Sequence, residues 1–148
     1  MPFIQNVARS VVQKGNHKIP KGDSVWIQIA DPDCDFIESK HQFTKAYSFK
    51  FLDLEDDLEY PESLKISDAD AELIAEILEK ALMENMDVIV NCHLGVSRSG
   101  AVCDIGVMMG FDDTGVFRAP NMLVKTKLLK TLDKGFDPAK SAFNEENT

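Results

Sequence analysis

The chain has 148 residues and a formal net charge of −9, and hydrophobic residues make up 44% of it. This length and composition predict one globular domain with a single core, and three cysteines without the spacing of a disulfide framework indicate a reducing, cytoplasmic environment. The negative charge disfavours binding to nucleic acid or anionic lipid, no apolar run reaches the roughly 20 residues that span a membrane, and the amino terminus has no signal-peptide pattern.

The first third of the chain contains three predicted strands. Residues 3–12 include a first strand, which we expect at an edge of the sheet, and residues 24–30 form a second strand that ends at an Asp-Pro-Asp turn. Residues 34–45 make a polar connection with room for a short helix. Residues 47–52 form a third strand, because aromatic side chains alternate there with a period of two.

An acidic loop over residues 53–62 is followed by an amphipathic helix. Ser67 is its expected N-cap, and the helix ends before residues 85–87. Its predicted apolar face contains Ala69, Leu73, Ile74, Ile77, Leu78, Ala81 and Leu82. Residues 88–90 are too uniformly apolar to alternate, which predicts a central strand buried on both faces.

Two helices are predicted in the last third of the chain. Residues 99–109 are small and apolar, which predicts a helix packed deep in the domain and ended by Gly110. Residues 120–132 form a last amphipathic helix, which we expect to end at Gly135.

Strands alternate with helices along the chain, which predicts an α/β domain with a central, mostly parallel sheet of about four or five strands flanked by helices. We expect this domain to occupy residues 1–136 and a polar, flexible tail to occupy residues 137–148. His17 and His41 lie in polar stretches, which predicts that both are at the surface.

The most informative motif is the run Cys-His-Leu-Gly-Val-Ser-Arg-Ser at residues 92–99, which joins the apolar strand to the following helix. A loop in this position turns successive backbone N–H groups inward, and the helix adds its unpaired N–H groups and positive dipole end. Such a loop binds tetrahedral anions. Its predicted phosphate-binding residues are His93, Leu94, Gly95, Val96, Ser97 and Arg98.

Three side chains of this run carry the predicted chemistry. Arg98 offers a planar fork for two phosphate oxygens, and the field that attracts phosphate also favours the thiolate of Cys92. The hydroxyl of Ser99 can stabilise that thiolate when it leaves a cysteinyl-phosphate intermediate. The catalytic candidates in the loop are therefore Cys92, Arg98 and Ser99.

The pattern Cys-x-x-Gly-x-x-Arg-Ser, with a strand before it and a small-residue helix after it, resembles the signature loop of the cysteine-dependent protein tyrosine phosphatases. The compact dual-specificity branch is the nearer match. The resemblance covers residues 24–132 and is strongest at residues 92–99. It implies the small protein tyrosine phosphatase-like fold. Asn91 stands where this family usually has a histidine that braces the loop by hydrogen bonding, so we expect weaker support of the loop.

The resemblance also implies a general acid, which in the compact branch is an aspartate in a loop upstream of the cysteine. Asp53 follows Phe51 and Leu52 directly and resembles the Phe-x-Asp element of compact bacterial-type relatives. It is the first candidate, with Asp56 as the alternative and Asp57 as the third. A general acid accelerates such a step by roughly 10²–10⁴-fold.

By this resemblance the chain is a phosphomonoesterase that acts on phosphotyrosine, phosphoserine or phosphothreonine in a phosphorylated protein, through a cysteinyl-phosphate intermediate. It needs no cofactor and no metal, because Arg98 and the loop carry the positive charge. The same loop would serve an RNA 5′-triphosphatase or a phosphoinositide phosphatase, which the negative net charge disfavours. A non-catalytic phospho-binding adaptor is another alternative, against which the intact Cys92 argues. No nucleic-acid or membrane partner is expected.

Overall fold

The computed structural model describes residues 1–55 and 61–136. Asp56, Asp57 and the predicted tail over residues 137–148 lie outside this part of the chain. The strands are β1 (Phe3–Ala8), β2 (Ser24–Ala30), β3 (Lys45–Lys50), β4 (Asp87–Cys92) and β5 (Asp112–Asp113). The helices are α1 (Arg9–Lys14), α2 (Asp68–Met83), α3 (Arg98–Met109) and α4 (Met122–Phe136), and a 3-10 turn spans Glu62–Leu64.

The strands form one sheet in the order β3-β2-β4-β1-β5, and each neighbouring pair is parallel. The predicted α/β fold with a parallel sheet of four or five strands is therefore confirmed. β4 lies at the centre and is buried along its whole length, as its apolar sequence predicts. The prediction that β1 is an edge strand is wrong, because the two-residue strand β5 pairs with its outer side.

Side chains that alternate along the strands divide the core into two layers. Ile4, Val88, Val90 and Cys92 face the layer that contains α2, α3 and α4. Phe3, Val7, Trp26 and Ile89 face the other layer, where Val11 and Val12 of α1 pack against them. This alternation decides which strand residues can reach the loop after β4.

Helix α2 begins as predicted, since the Ser67 hydroxyl accepts a hydrogen bond from the Asp70 N–H at 3.0 Å. Its buried face contains Ala71, Ile74, Ala75, Ile77, Leu78 and Ala81. Ala69 is exposed and Leu73 is 42% exposed, so their prediction on the apolar face is wrong. Ala71 and Ala75 are buried instead, so the buried stripe is displaced around the helix from the predicted one.

Several local details differ from the predictions. Residues 3–12 include the expected strand but also the start of helix α1, and residues 34–45, where a short helix had room, contain none. Helix α4 continues past Gly135 to Phe136. His17 is 5% exposed rather than at the surface, because its ring packs against His41 and Phe43. Among the described residues, no helix is long and apolar enough to cross a bilayer.

Candidate active site

The predicted anion-binding loop occupies the carboxyl end of the central strand. β4 ends at Cys92, α3 begins at Arg98, and residues 93–97 connect them. Ligands bind at this end of the strands in open parallel sheets. Cys92 is 2% exposed, its Sγ lies 3.1 Å from the Ser99 hydroxyl oxygen, and the Ser99 N–H donates to it at 3.5 Å. The sulfur thus lies at the amino terminus of α3, next to two polar groups of Ser99.

Gly95 allows the loop to lie directly on the end of β1. Its φ is +77°, and a Cβ there would lie 2.2 Å from the Ala8 nitrogen and 2.2 Å from the Val7 carbonyl carbon. No other residue fits without moving β1. The backbone N–H of Arg9 also donates to the His93 carbonyl oxygen at 3.3 Å, so β1 and its continuation support the loop at two points.

Arg98 is buried beneath the loop, with 4% of its surface exposed. Its Nη1 donates to the Asp31 carboxylate at 2.7 Å and to the Phe51 carbonyl oxygen at 2.8 Å. Its Nε is also buried, and it has no hydrogen-bond partner among the described residues. A buried charged donor without a partner costs free energy, and an oxyanion would relieve that cost.

Asp31 was not identified as a site residue from the sequence, where it only marked the end of a strand. The available signal was its position directly after β2, the strand that pairs with β4. Carboxyl ends of adjacent parallel strands meet at one edge of the sheet, so a carboxylate there lies near Cys92. The Asp31 side chain is 35% exposed and that of Arg98 is 5% exposed, which places their ion pair at the boundary between core and solvent.

Asp53 is held in a defined orientation by two neutral donors. Its Oδ1 accepts a hydrogen bond from the Ser97 hydroxyl at 2.8 Å and from Nδ2 of Asn121 at 2.6 Å. Ser97 stands at the N-cap position of α3 without capping it, so its hydroxyl is available to Asp53. Oδ2 of Asp53 accepts no hydrogen bond from the part of the chain that the structure describes.

Asn121 is fully buried and connects three parts of the site. Besides Asp53, its side chain donates to the Leu54 carbonyl oxygen at 3.1 Å, and its backbone N–H donates to the Ser97 carbonyl oxygen at 3.0 Å. Its Oδ1 accepts from the Val124 N–H at 3.0 Å, which caps α4. From the sequence it was placed only within the last amphipathic helix and was given no role in the site. The signal for its role was an N-cap asparagine directly before a helix.

A cleft of about 420 Å³ opens over the loop and brings the candidate residues together. Asp31, Asp53, Cys92, Ser97 and Arg98 contribute its polar surface. Apolar side chains form the rest of its wall, namely Leu52, Leu54, Leu94 and Val96. His93 also lines the cleft and is exposed. Among the predicted site residues that the structure describes, Gly95 and Ser99 lie behind this surface and shape it.

Asn91 does not face the loop. It precedes Cys92 in β4, so the two side chains lie on opposite faces of the sheet. Its Oδ1 accepts a hydrogen bond from the indole N–H of Trp26 at 2.7 Å. The residue that replaces the usual histidine therefore joins β4 to β2 in the opposite layer.

The described residues contain one group of side chains with the spacing of metal ligands, Asp31, Asp33 and Cys34, whose ligand atoms lie within 4.8 Å of one another. Oδ1 of Asp31 already binds the Arg98 guanidinium. That positive charge competes with a cation at the same carboxylate, so the arrangement does not favour a metal centre.

Comparisons with known proteins show the fold. No protein-family model and no curated protein sequence matches the chain. Among solved structures, human DUSP28 matches with a TM-score of 0.60 and 15% identity, over 94% of this chain and 96% of that one. The human tyrosine phosphatase-like serine/threonine/tyrosine-interacting protein matches with a TM-score of 0.57 and 16% identity, over 88% and 91% of the two chains. The fold that the motif implied is thus confirmed, and the chain has the compact fold of the cysteine-dependent, dual-specificity-like tyrosine phosphatases.

Proposed function

We propose that this protein is a cysteine-dependent phosphomonoesterase that removes phosphate from a phosphorylated protein. The observation that carries the proposal is the pairing, at the base of one cleft, of Cys92 with the buried Arg98. A sulfur at a helix amino terminus suits a nucleophile, and a buried guanidinium nitrogen with no partner among the described residues suits a tetrahedral dianion beside it.

In the first step, the Cys92 thiolate attacks phosphorus and the bond to the leaving oxygen breaks. Arg98 and the loop N–H groups hold the other phosphoryl oxygens, where charge is spread in the transition state. Asp53 donates a proton from Oδ2 to the leaving oxygen. Ser97 and Asn121 support this role because they fix Oδ1 and leave Oδ2 to carry the proton.

In the second step, water attacks the cysteinyl-phosphate and the sulfur–phosphorus bond breaks. Asp53, now a carboxylate, accepts the proton of the attacking water. Cys92 leaves as a thiolate, and the hydroxyl and N–H of Ser99 stabilise its charge. Inorganic phosphate then dissociates and the starting enzyme is restored.

A phospho-binding adaptor is the second candidate, because one structural neighbour is described as a phosphatase-like interacting protein. An adaptor would use the same cradle for a phosphorylated partner without turnover. RNA ends and phosphoinositides are less suitable ligands, since Asp31 and Asp53 add carboxylates to the cleft of a chain whose net charge is already −9.

The test compares Cys92→Ser with Cys34→Ser, a half-buried cysteine outside the cradle. We expect Cys92→Ser to abolish hydrolysis of p-nitrophenyl phosphate and to retain binding of inorganic phosphate, while Cys34→Ser keeps wild-type activity. Phosphate binding without any turnover by the wild-type protein would favour the adaptor. Activity of Cys92→Ser near the wild-type rate would overturn the proposed nucleophile.

A further inference from the structure

Asn6 is a buried polar residue on the core side of β1, and nothing in the sequence pattern assigns it a role. It is 0% exposed and pairs in register with Val90 of β4. Ile4, two residues earlier, faces the layer that contains α3, so the alternation of β1 directs Asn6 to the same side. Asn6 therefore lies on the same face of the sheet as the side chain of Cys92.

Two carbonyl oxygens fix the orientation of the Asn6 amide. Its Nδ2 donates to the carbonyl oxygen of Gly95 at 2.7 Å and to that of Phe117 at 3.0 Å. Because both neighbours are acceptors, the nitrogen rather than the oxygen must face them. Its Oδ1 is buried without a partner among the described residues. This orientation provides hydrogen bonds to both carbonyl oxygens, while the Asn6 Oδ1 has none among the described residues.

The contact with Gly95 determines where the next N–H points. In a trans peptide the C=O of one residue and the N–H of the next point in opposite directions. The Gly95 C=O is directed to β1 by Asn6, so the Val96 N–H is directed away from β1. The His93 C=O is directed to the Arg9 N–H in the same way, so the Leu94 N–H also points away. Leu94 and Val96 both line the cleft.

We propose that Asn6 is the positioning residue of the anion-binding loop, and that it performs here the bracing for which Asn91 is not available. It acts through Gly95 by aiming the Val96 N–H at a bound phosphoryl group. Asn91 is equally buried but is engaged with Trp26 in the opposite layer. The inference rests on the proposed function, because it assigns Asn6 to the phosphate cradle of that reaction.

The experiment compares Asn6→Ala with Asn91→Ala, which removes a buried asparagine from the neighbouring strand. Inhibition by inorganic phosphate measures the cradle, the rate at which iodoacetate alkylates Cys92 measures thiolate stabilisation, and thermal unfolding measures stability. We expect Asn6→Ala to weaken phosphate binding about tenfold or more, to slow alkylation and to lower kcat. Asn91→Ala should lower the melting temperature while phosphate affinity stays close to that of the wild type.

Asn6→Ser keeps one hydroxyl donor. This variant tests the proposal if Asn6→Ala does not fold. An intermediate loss of phosphate affinity in this variant supports the proposal. Wild-type affinity and alkylation rate in a folded Asn6 variant would overturn it, as would an equal loss in Asn91→Ala. If the wild-type protein neither binds phosphate nor shows rapid alkylation of Cys92, the proposed function itself fails, and this result is distinct from a failure of the Asn6 variants alone.

Discussion

Asp31 and Asp53 follow neighbouring parallel strands and line one cleft, but different partners hold them. Asp31 binds the charged Nη1 of Arg98, whereas Asp53 receives hydrogen bonds from the neutral Ser97 and Asn121. The Asp31 carboxylate therefore neutralises and orients the buried guanidinium. The neutral donors to Asp53 bind only its Oδ1, and no described residue donates to its Oδ2. Within one cleft, the charge of a carboxylate's partners thus separates the proposed proton donor, Asp53, from Asp31, which orients the arginine.

The largest expected effect is a loss of activity that depends on the leaving group of the substrate, which should occur on substitution of Asp53 but not of Asp31. Asp53→Asn should slow hydrolysis of phosphotyrosine or alkyl phosphates by roughly 10²–10⁴-fold, and that of activated aryl phosphates far less, because an activated oxide leaves without a proton. Steady-state rates over a series of leaving groups measure this difference.

The control variants for this prediction are Asp56→Asn and Asp57→Asn, which remove the same charge from the same acidic segment. If the leaving-group-dependent loss appears in Asp56→Asn instead, the alternative acid is the correct one. If none of the three variants shows it, this segment does not supply the proton.

A smaller effect is expected for Asp31→Asn, and it should not depend on the leaving group. The variant leaves the buried Arg98 without its ion-pair partner, so kcat/KM should fall by about 10–100-fold for activated and poor substrates alike. It should also lower the free energy of unfolding by about 1–3 kcal/mol, measured by urea denaturation. Asp33→Asn, an exposed carboxylate two residues on, is the matched control and should change neither quantity. A leaving-group-dependent loss in Asp31→Asn would mean that the two roles are reversed.

The smallest effect concerns a carboxylate whose role is structural. Burial raises the pKa of Asp104, but hydrogen bonds from Lys125 and Arg118 outweigh it and hold this pKa below its usual value. A lowered pKa stabilises the fold above the unfolded-state pKa of about 4, and this contribution is lost as the pH falls through the lower folded-state value. Asp104→Asn should therefore cost up to about 1 kcal/mol at pH 7 and little at pH 3.

Urea denaturation of both proteins at several pH values checks this prediction, and activity at pH 7 should be unchanged. A difference in stability that persists undiminished at pH 3 would show that Asp104 acts through packing rather than through its charge. A loss of activity in Asp104→Asn would show that the ion-pair cluster is coupled to the cleft.

The sequence was sufficient for those features that local patterns encode. A few consecutive residues contain each of these features: the spacing of Cys92 and Arg98, the uniform hydrophobicity of β4 and the Ser67 cap. The fold class follows from the alternation of strands and helices along the chain. Asp53 could be singled out because it follows Phe51 and Leu52 in a short motif that resembles the Phe-x-Asp element of compact bacterial-type phosphatases. Its neighbours Asp56 and Asp57 lie outside the described residues, so the choice among the three remains a prediction.

The features that escaped prediction depend on distant partners. Asp31 meets Arg98 across 67 positions, Asn121 meets Asp53 across 68, and Asn6 meets Gly95 across 89. Hydrophobic periodicity shows which face of an element is buried, but it does not show which elements become neighbours. The same limit explains the burial of His17, whose polar sequence neighbours gave no sign of the aromatic rings that cover it.

The hydrogen bond between Trp26 and Asn91 has a practical consequence. The chain contains a single tryptophan, and its indole is buried against the strand that ends at Cys92. Intrinsic tryptophan fluorescence therefore reports on one known position, with no signal from other indoles to separate. The protein carries its own optical probe of β4, through which unfolding of the sheet can be followed without any label.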